Sequence, residues 1–135
     1  MIEKQTPDIS PKNPYWIERQ RYYELKHFCL QYHYWKRRLK DENLYPSLNG
    51  EVKSYDISDP VTRAVLMRES YIKNIQMLEQ AAAMTDEVVG PYILVGVTGG
   101  LSYEVMSAKD TLPCSKDAYY DLYRKFFWLL DGLRE

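Results

Sequence analysis

In the first half of the chain, apolar residues recur at the spacing of two long helices. Asn13 and Pro14 form a typical N-cap and first-turn pair, and the apolar stripe after them predicts a helix of about 14–42. Ser58-Asp59-Pro60 is a second cap followed by proline, and predicts another helix of about 60–84. The two stripes are Leu25, Phe28, Cys29, Tyr32, Trp35 and Leu39, and then Ala64, Tyr71, Ile75, Leu78 and Ala82.

These two helices predict an antiparallel helical hairpin over residues 14–84. Residues 43–58 contain Pro46 and Asn49-Gly50, which favour turns, so this stretch is predicted to be the connecting loop. Residues 1–13 carry two prolines and no periodicity, and are predicted to form a flexible lead-in. The hairpin is expected either to support the C-terminal part of the chain or to form a dimer interface with a second copy.

The second half of the chain contains shorter elements. Apolar residues from Val88 to Val97 lie at helical spacing and are closed by Gly99-Gly100. Ser102 is placed to cap a brief helix ending near Ala108, and Ser115 to cap a final helix. The stripe of the final helix is Tyr119, Leu122, Phe126, Leu129 and Leu133. The fold class is therefore all-α, and a short helix, a turn and a longer helix within residues 85–135 have the layout of a helix-turn-helix.

Charge is distributed unevenly along the chain, although the net charge is only −1. Residues 1–40 contain nine basic and four acidic residues, whereas residues 86–135 contain five basic and eight acidic residues. An auxiliary basic face is predicted on the first helix from Lys36, Arg37, Arg38 and Lys40. If the protein binds DNA, attraction to phosphates is expected to come largely from this helix or from oligomer geometry.

No residue pattern indicates an enzyme or a bound cofactor. His27, Cys29 and His33 lie close together in sequence, but no matching ligands complete a metal site. No catalytic triad is evident, and the glycines of residues 96–100 do not match a phosphate-binding motif. Two cysteines, no long apolar run and no signal peptide indicate a cytoplasmic protein that does not enter a membrane.

The start of the final helix carries side chains that suit DNA recognition. In a helix-turn-helix the second helix enters the major groove, and its first residues contact base edges and phosphates. Hydroxyl, ammonium and guanidinium groups are donors for such contacts. The candidate residues are Ser115, Lys116, Tyr119, Tyr120 and Arg124.

The C-terminal sequence resembles the RinA/ArpU-like regulators of phages and prophages of Gram-positive bacteria. The resemblance rests on Ser102-Tyr103-Glu104, on Leu112-Pro113-Cys114-Ser115 and on the stretch from Tyr119 to Leu130. It implies a helix-turn-helix similar to sigma-factor region 4, and a DNA-binding regulator of late phage genes in the cytoplasm of a bacterial host. Ser102 and Tyr103 are also candidate DNA-binding residues. Double-stranded DNA is the expected partner, with RNA polymerase and a second copy of the chain as further candidates.

Two features argue for an alternative. The C-terminal half is acidic, and Asp117 and Asp121 flank the predicted reading face. A basic first helix paired with an acidic C-terminal half could instead capture a charged protein. The alternative is a phage protein-interaction module, either a packaging accessory resembling a small terminase subunit or a host-directed inhibitor.

Overall fold

The computed structural model describes residues 14–41 and 59–135 of the chain. These residues form helices and no strands, which confirms the all-α fold class. The predicted lead-in of residues 1–13 and the whole predicted loop of residues 43–58 lie outside this range. The helices of the described residues are α1 (Arg19–Leu30), α2 (Tyr32–Lys40), α3 (Pro60–Thr85), α4 (Gly90–Gly99), α5 (Tyr103–Lys109) and α6 (Lys116–Leu133).

The prediction of one continuous first helix is wrong, because Gln31 separates α1 from α2. The backbone N–H of Gln31 donates to Phe28 O at 3.2 Å, which is a tighter turn than an α-helix makes. The Gln31 side chain also approaches the carbonyl of His27 at 3.4 Å, the acceptor that its own N–H would use in a continuous helix. The apolar spacing continues across Gln31, so periodicity alone did not reveal the break.

The first helix also begins later than predicted, at Arg19 rather than Pro14. Glu18 is extended, and its carboxylate accepts hydrogen bonds from the backbone N–H groups of Gln20 at 2.9 Å and Arg21 at 3.2 Å. Because these bonds satisfy two free donors of the first turn, Glu18 is the N-cap of α1, while the predicted cap Asn13 lies outside the described residues.

The other predicted helices are present close to their expected positions. The carboxylate of Asp59 accepts from the backbone N–H of Thr62 at 3.3 Å and from its hydroxyl at 3.0 Å, which anchors the start of α3. Gly100 ends α4 with a φ of 65°, a left-handed conformation that glycine adopts without strain. Among the described helices, none is long and apolar enough to cross a membrane.

The chain divides into two compact units. The first unit, here called the aromatic unit, combines Met1–Gln31 with Met77–Glu135. The second, here called the basic unit, comprises Tyr32–Gln76. The aromatic unit therefore takes α1 from the predicted hairpin segment of residues 14–84 and α4, α5 and α6 from the predicted segment of residues 85–135.

In the aromatic unit, α1, α4 and α6 pack on one another. The core along α6 follows a different line from the predicted stripe. Phe127 and Leu130 are buried, whereas Leu129 and Leu133 are only partly buried. Phe127 lies 5.1 Å from the Tyr22 ring and 5.0 Å from the Tyr123 ring, measured between centroids. The buried residues of α6 are Tyr119, Phe126, Phe127 and Leu130.

Two glycines allow close packing within the aromatic unit. A Cβ atom on Gly90 would lie 2.3 Å from the backbone oxygen of Ala82, so α3 and α4 meet there without room for a side chain. A Cβ atom on Gly96 would lie 2.5 Å from the Tyr119 hydroxyl and 2.9 Å from the Met106 sulfur. Gly96 therefore permits α4 to pack closely against side chains of α5 and α6.

The basic unit contains α2 and the first part of α3. Trp35 of α2 and Ala64 and Ile75 of α3 are buried, as the predicted stripes require. Tyr34 and Tyr71 meet edge to face with ring centroids 6.1 Å apart. Eight basic and six acidic residues lie in residues 32–76, a net charge of +2.

Candidate nucleic-acid interface

The helices α5 and α6 are joined by residues 110–115, and a serine caps each helix. The Ser102 hydroxyl accepts from the backbone N–H of Val105, and the Ser115 hydroxyl accepts from that of Ala118, each at 3.2 Å. Both serine residues are exposed. The Ser115 hydroxyl satisfies one N–H group of the first turn of α6, and other N–H groups of that turn have no partner within the helix. The start of α6 can therefore attract an anion such as a phosphate. The connection is longer than the usual turn of 3–4 residues in a DNA-binding helix-turn-helix.

Three tyrosine residues fix α5 against α6. The Tyr103 hydroxyl donates to the carbonyl of Cys114 at 2.9 Å, which ties α5 to the end of the connection. The backbone N–H of Tyr103 donates to the Tyr120 hydroxyl oxygen at 3.2 Å. The Tyr119 hydroxyl contacts the sulfur of Met106 at 3.7 Å. The start of α6 is therefore held at a defined position relative to α5.

Tyr119 is not available to a ligand, which corrects its assignment as a DNA-contacting residue. Its side chain has an exposed fraction of 0% and packs beside Gly96 and Met106. Burial raises the pKa of its hydroxyl far above the usual value, because the phenolate would be poorly solvated there. Tyr120, the next residue, is partly exposed, as is Tyr103.

The two basic side chains of α6 that are predicted to contact base edges or phosphates are each paired with a carboxylate. The Lys116 ammonium contacts Glu104 of α5, and the Arg124 guanidinium donates to Asp121 at 2.6 Å. The Lys116 ammonium lowers the pKa of Glu104 through this hydrogen bond, and the Glu104 carboxylate raises the pKa of Lys116. Both pairs lie at the surface, where ion pairs are weak, so a phosphate can compete for either cation.

The auxiliary basic face lies on α2, in the basic unit. Lys36, Arg37 and Lys40 are exposed and Arg38 is partly exposed. Arg38 donates to Asp41 at 2.7 Å. The Lys36 ammonium lies 4.9 Å from the centroid of the Tyr32 ring, and the Arg37 guanidinium lies 5.8 Å from that of the Tyr34 ring. The contact with the Tyr34 ring restrains the Arg37 guanidinium and leaves its positive charge in place.

A recess of about 170 Å³ adjoins the start of α5, and sequence reasoning did not identify it. Lys26 of α1, Ser102 and the rings of Tyr120 and Tyr123 form part of its lining. Small-molecule sites usually measure about 300–1,000 Å³, so the recess is small for a ligand site. No sequence signal pointed to it, because its residues come from three separate parts of the chain.

The cysteine and histidine residues do not come together as a site. Within residues 14–41 and 59–135, no group of three or more His, Cys, Asp or Glu side chains could hold a metal ion. Cys29 is buried in the core, and burial raises the pKa of its thiol, which keeps the thiol protonated and unreactive.

Comparisons with known proteins do not extend this description: no protein-family model matches the sequence, and no curated protein and no solved structure is significantly similar.

Proposed function

We propose that the protein is a DNA-binding regulator in which α5 positions α6 for insertion into the major groove. The observation that carries the proposal is the α5 and α6 pair, held together by Tyr103, Tyr119 and Tyr120, with the capped start of α6 exposed. This arrangement presents backbone N–H groups and polar side chains in the way that recognition helices do. The proposed DNA contacts are Ser102, Tyr103, Ser115, Lys116, Tyr120 and Arg124.

The resemblance to RinA/ArpU-like regulators supports a more specific proposal. The protein would be phage-encoded or prophage-encoded, would act on late phage genes in the cytoplasm of a bacterial host, and would not be an enzyme. RNA polymerase and a second copy of the chain are the proposed additional partners, because regulators of this kind act at promoters.

The test is the double variant Lys116→Glu with Arg124→Glu, measured by fluorescence anisotropy on duplex DNA selected from a random pool by the wild-type protein. We expect affinity to fall at least about tenfold at about 50 mM salt, and preference for the selected sequence over mixed duplex to disappear. The charge-matched control is Arg19→Glu with Lys109→Glu, which changes two exposed side chains outside the proposed set of DNA contacts. Unchanged sequence preference in a folded double variant would refute the assignment of α6 to the groove.

One observation favours a protein-interaction module as the second candidate. Lys116 and Arg124 are both paired with carboxylates of the same unit, so the start of α6 has little unopposed positive charge. Such a surface of alternating charges suits a protein partner as well as a nucleic acid. The partner would be a packaging component or a host protein. Absence of any DNA binding, combined with salt-sensitive self-association in light scattering, would favour this candidate.

A further inference from the structure

The helix α2 carries several positive charges and is not part of the proposed helix-turn-helix. Its nine residues contain four basic and no acidic side chains. Lys36, Arg37 and Lys40 are exposed, on one short helix whose rise is about 1.5 Å per residue. From Lys36 to Lys40 the backbone therefore advances only about 6 Å along the helix axis.

Arg37 and Lys40 differ from the cations of α6 in their partners. Lys116 and Arg124 are each paired with a carboxylate. Arg37 packs over the Tyr34 ring, and within the described part of the chain no carboxylate forms an ion pair with Arg37 or Lys40. A ring contact restrains a guanidinium while leaving its charge for an external anion.

We propose that the exposed cations of α2, Lys36, Arg37 and Lys40, form a surface for the phosphate backbone of double-stranded DNA. The surface supplies most of the electrostatic attraction, while α5 and α6 supply sequence recognition. This proposal deepens the proposed function and rests on it for the choice of DNA as the polyanion. Phosphate contacts carry no sequence information, so the α2 surface would act equally on every duplex.

The test compares the variant Arg37→Gln with Lys40→Gln against the control Arg19→Gln with Lys109→Gln. Both variants remove two exposed charges, and glutamine suits a helix, so both should fold. Anisotropy on mixed duplex DNA across salt concentrations gives the slope of log affinity against log salt. For the α2 variant we expect the slope to shrink by about 1.8, since each phosphate contact contributes about 0.9.

The affinity of the α2 variant should fall by the same factor on selected and mixed duplexes, so that sequence preference is retained. An unchanged salt slope, or an equal reduction in the control variant, would overturn the proposal. If α6 does not enter the major groove, the Lys116→Glu, Arg124→Glu variant will keep its sequence preference. The change in salt slope of the α2 variant on mixed duplex would still report on the α2 surface, because that measurement does not depend on sequence preference. A much larger loss of affinity for single-stranded than for duplex DNA in the α2 variant would also overturn it, because α2 would then be a surface for single strands.

Discussion

The aromatic unit and the basic unit of this protein differ in what organises them. The aromatic unit has a net charge of −3, from ten basic and thirteen acidic residues, and its surface cations Arg21, Lys116 and Arg124 pair with its own carboxylates. The basic unit has a net charge of +2, and α2 contains only basic charges. The close packing of aromatic rings is thus located in the aromatic unit, and the net positive charge in the basic unit. A chain of net charge −1 can therefore have a surface suited to a polyanion, which the total charge alone conceals.

The largest expected effect comes from the core of the aromatic unit. Replacing Phe127 with alanine should lower the free energy of unfolding by about 3–5 kcal/mol, because it leaves a cavity between the rings of Tyr22 and Tyr123. Leu129→Ala, at a partly buried position, should cost less than half as much. Urea denaturation measures both. A larger loss of unfolding free energy for Leu129→Ala than for Phe127→Ala would instead support the core residues that the sequence stripe predicts.

A second prediction concerns alkaline pH. Burial raises the pKa of Tyr22 to about 12, from an ordinary value near 10 in the unfolded chain. The raised pKa stabilises the fold fully below about pH 10, and this stability is lost as the pH rises toward about 12. We expect the free energy of unfolding to fall across this range in wild type, and to fall less in Tyr22→Phe. Denaturation at several pH values tests this, and identical pH profiles for the two proteins would contradict it.

Close packing at Gly96 gives a third, smaller effect. Gly96→Ala should destabilise the protein by about 1–3 kcal/mol, because the new methyl group would overlap the Tyr119 hydroxyl. Gly132→Ala is the matched control: nothing lies within 4 Å of its Cβ position, so it should stabilise α6 by about 0.5–1 kcal/mol. Adding Tyr119→Phe to Gly96→Ala should recover part of the loss. Equal effects at the two glycines in thermal denaturation would show that the contact is not tight.

The smallest effect tests whether the ion pair between Lys116 and Glu104 weakens the affinity of the aromatic unit for DNA. Glu104→Gln removes the carboxylate that pairs with Lys116 and should tighten binding to mixed duplex a few-fold at low salt. Glu87→Gln removes the same charge at an exposed position that forms no ion pair within the described residues, and should have a weaker effect. Equal tightening by both variants, measured by anisotropy, would mean that net charge matters and the pair does not.

Helix positions were largely predictable from the sequence, because they depend on local signals. The Asp59-Pro60 start of α3, the Ser102 and Ser115 caps and the end of α4 at Gly99-Gly100 all appear where capping rules place them. The break at Gln31 was not predictable in this way, since it depends on a side chain that competes for one carbonyl and leaves the apolar spacing intact.

Side-chain direction along α6 was less predictable. Both Tyr119 and Tyr120 are amphipathic, and which of them faces inward depends on contacts with Gly96 and Met106, which are distant in sequence. The same reason applies to the pairing of Lys116 with Glu104, which are separated by the connection between two helices. The sequence contains no direct signal for such contacts between residues that are distant along the chain.

The most direct test of DNA recognition by this protein is fluorescence anisotropy of the wild-type chain on mixed double-stranded DNA at about 50 and about 200 mM salt. Phosphate-driven binding should be clear at the lower concentration and should weaken steeply at the higher one. Absence of binding at about 50 mM salt, by protein that circular dichroism shows to be helical, would contradict both the DNA-binding role and the α2 phosphate surface.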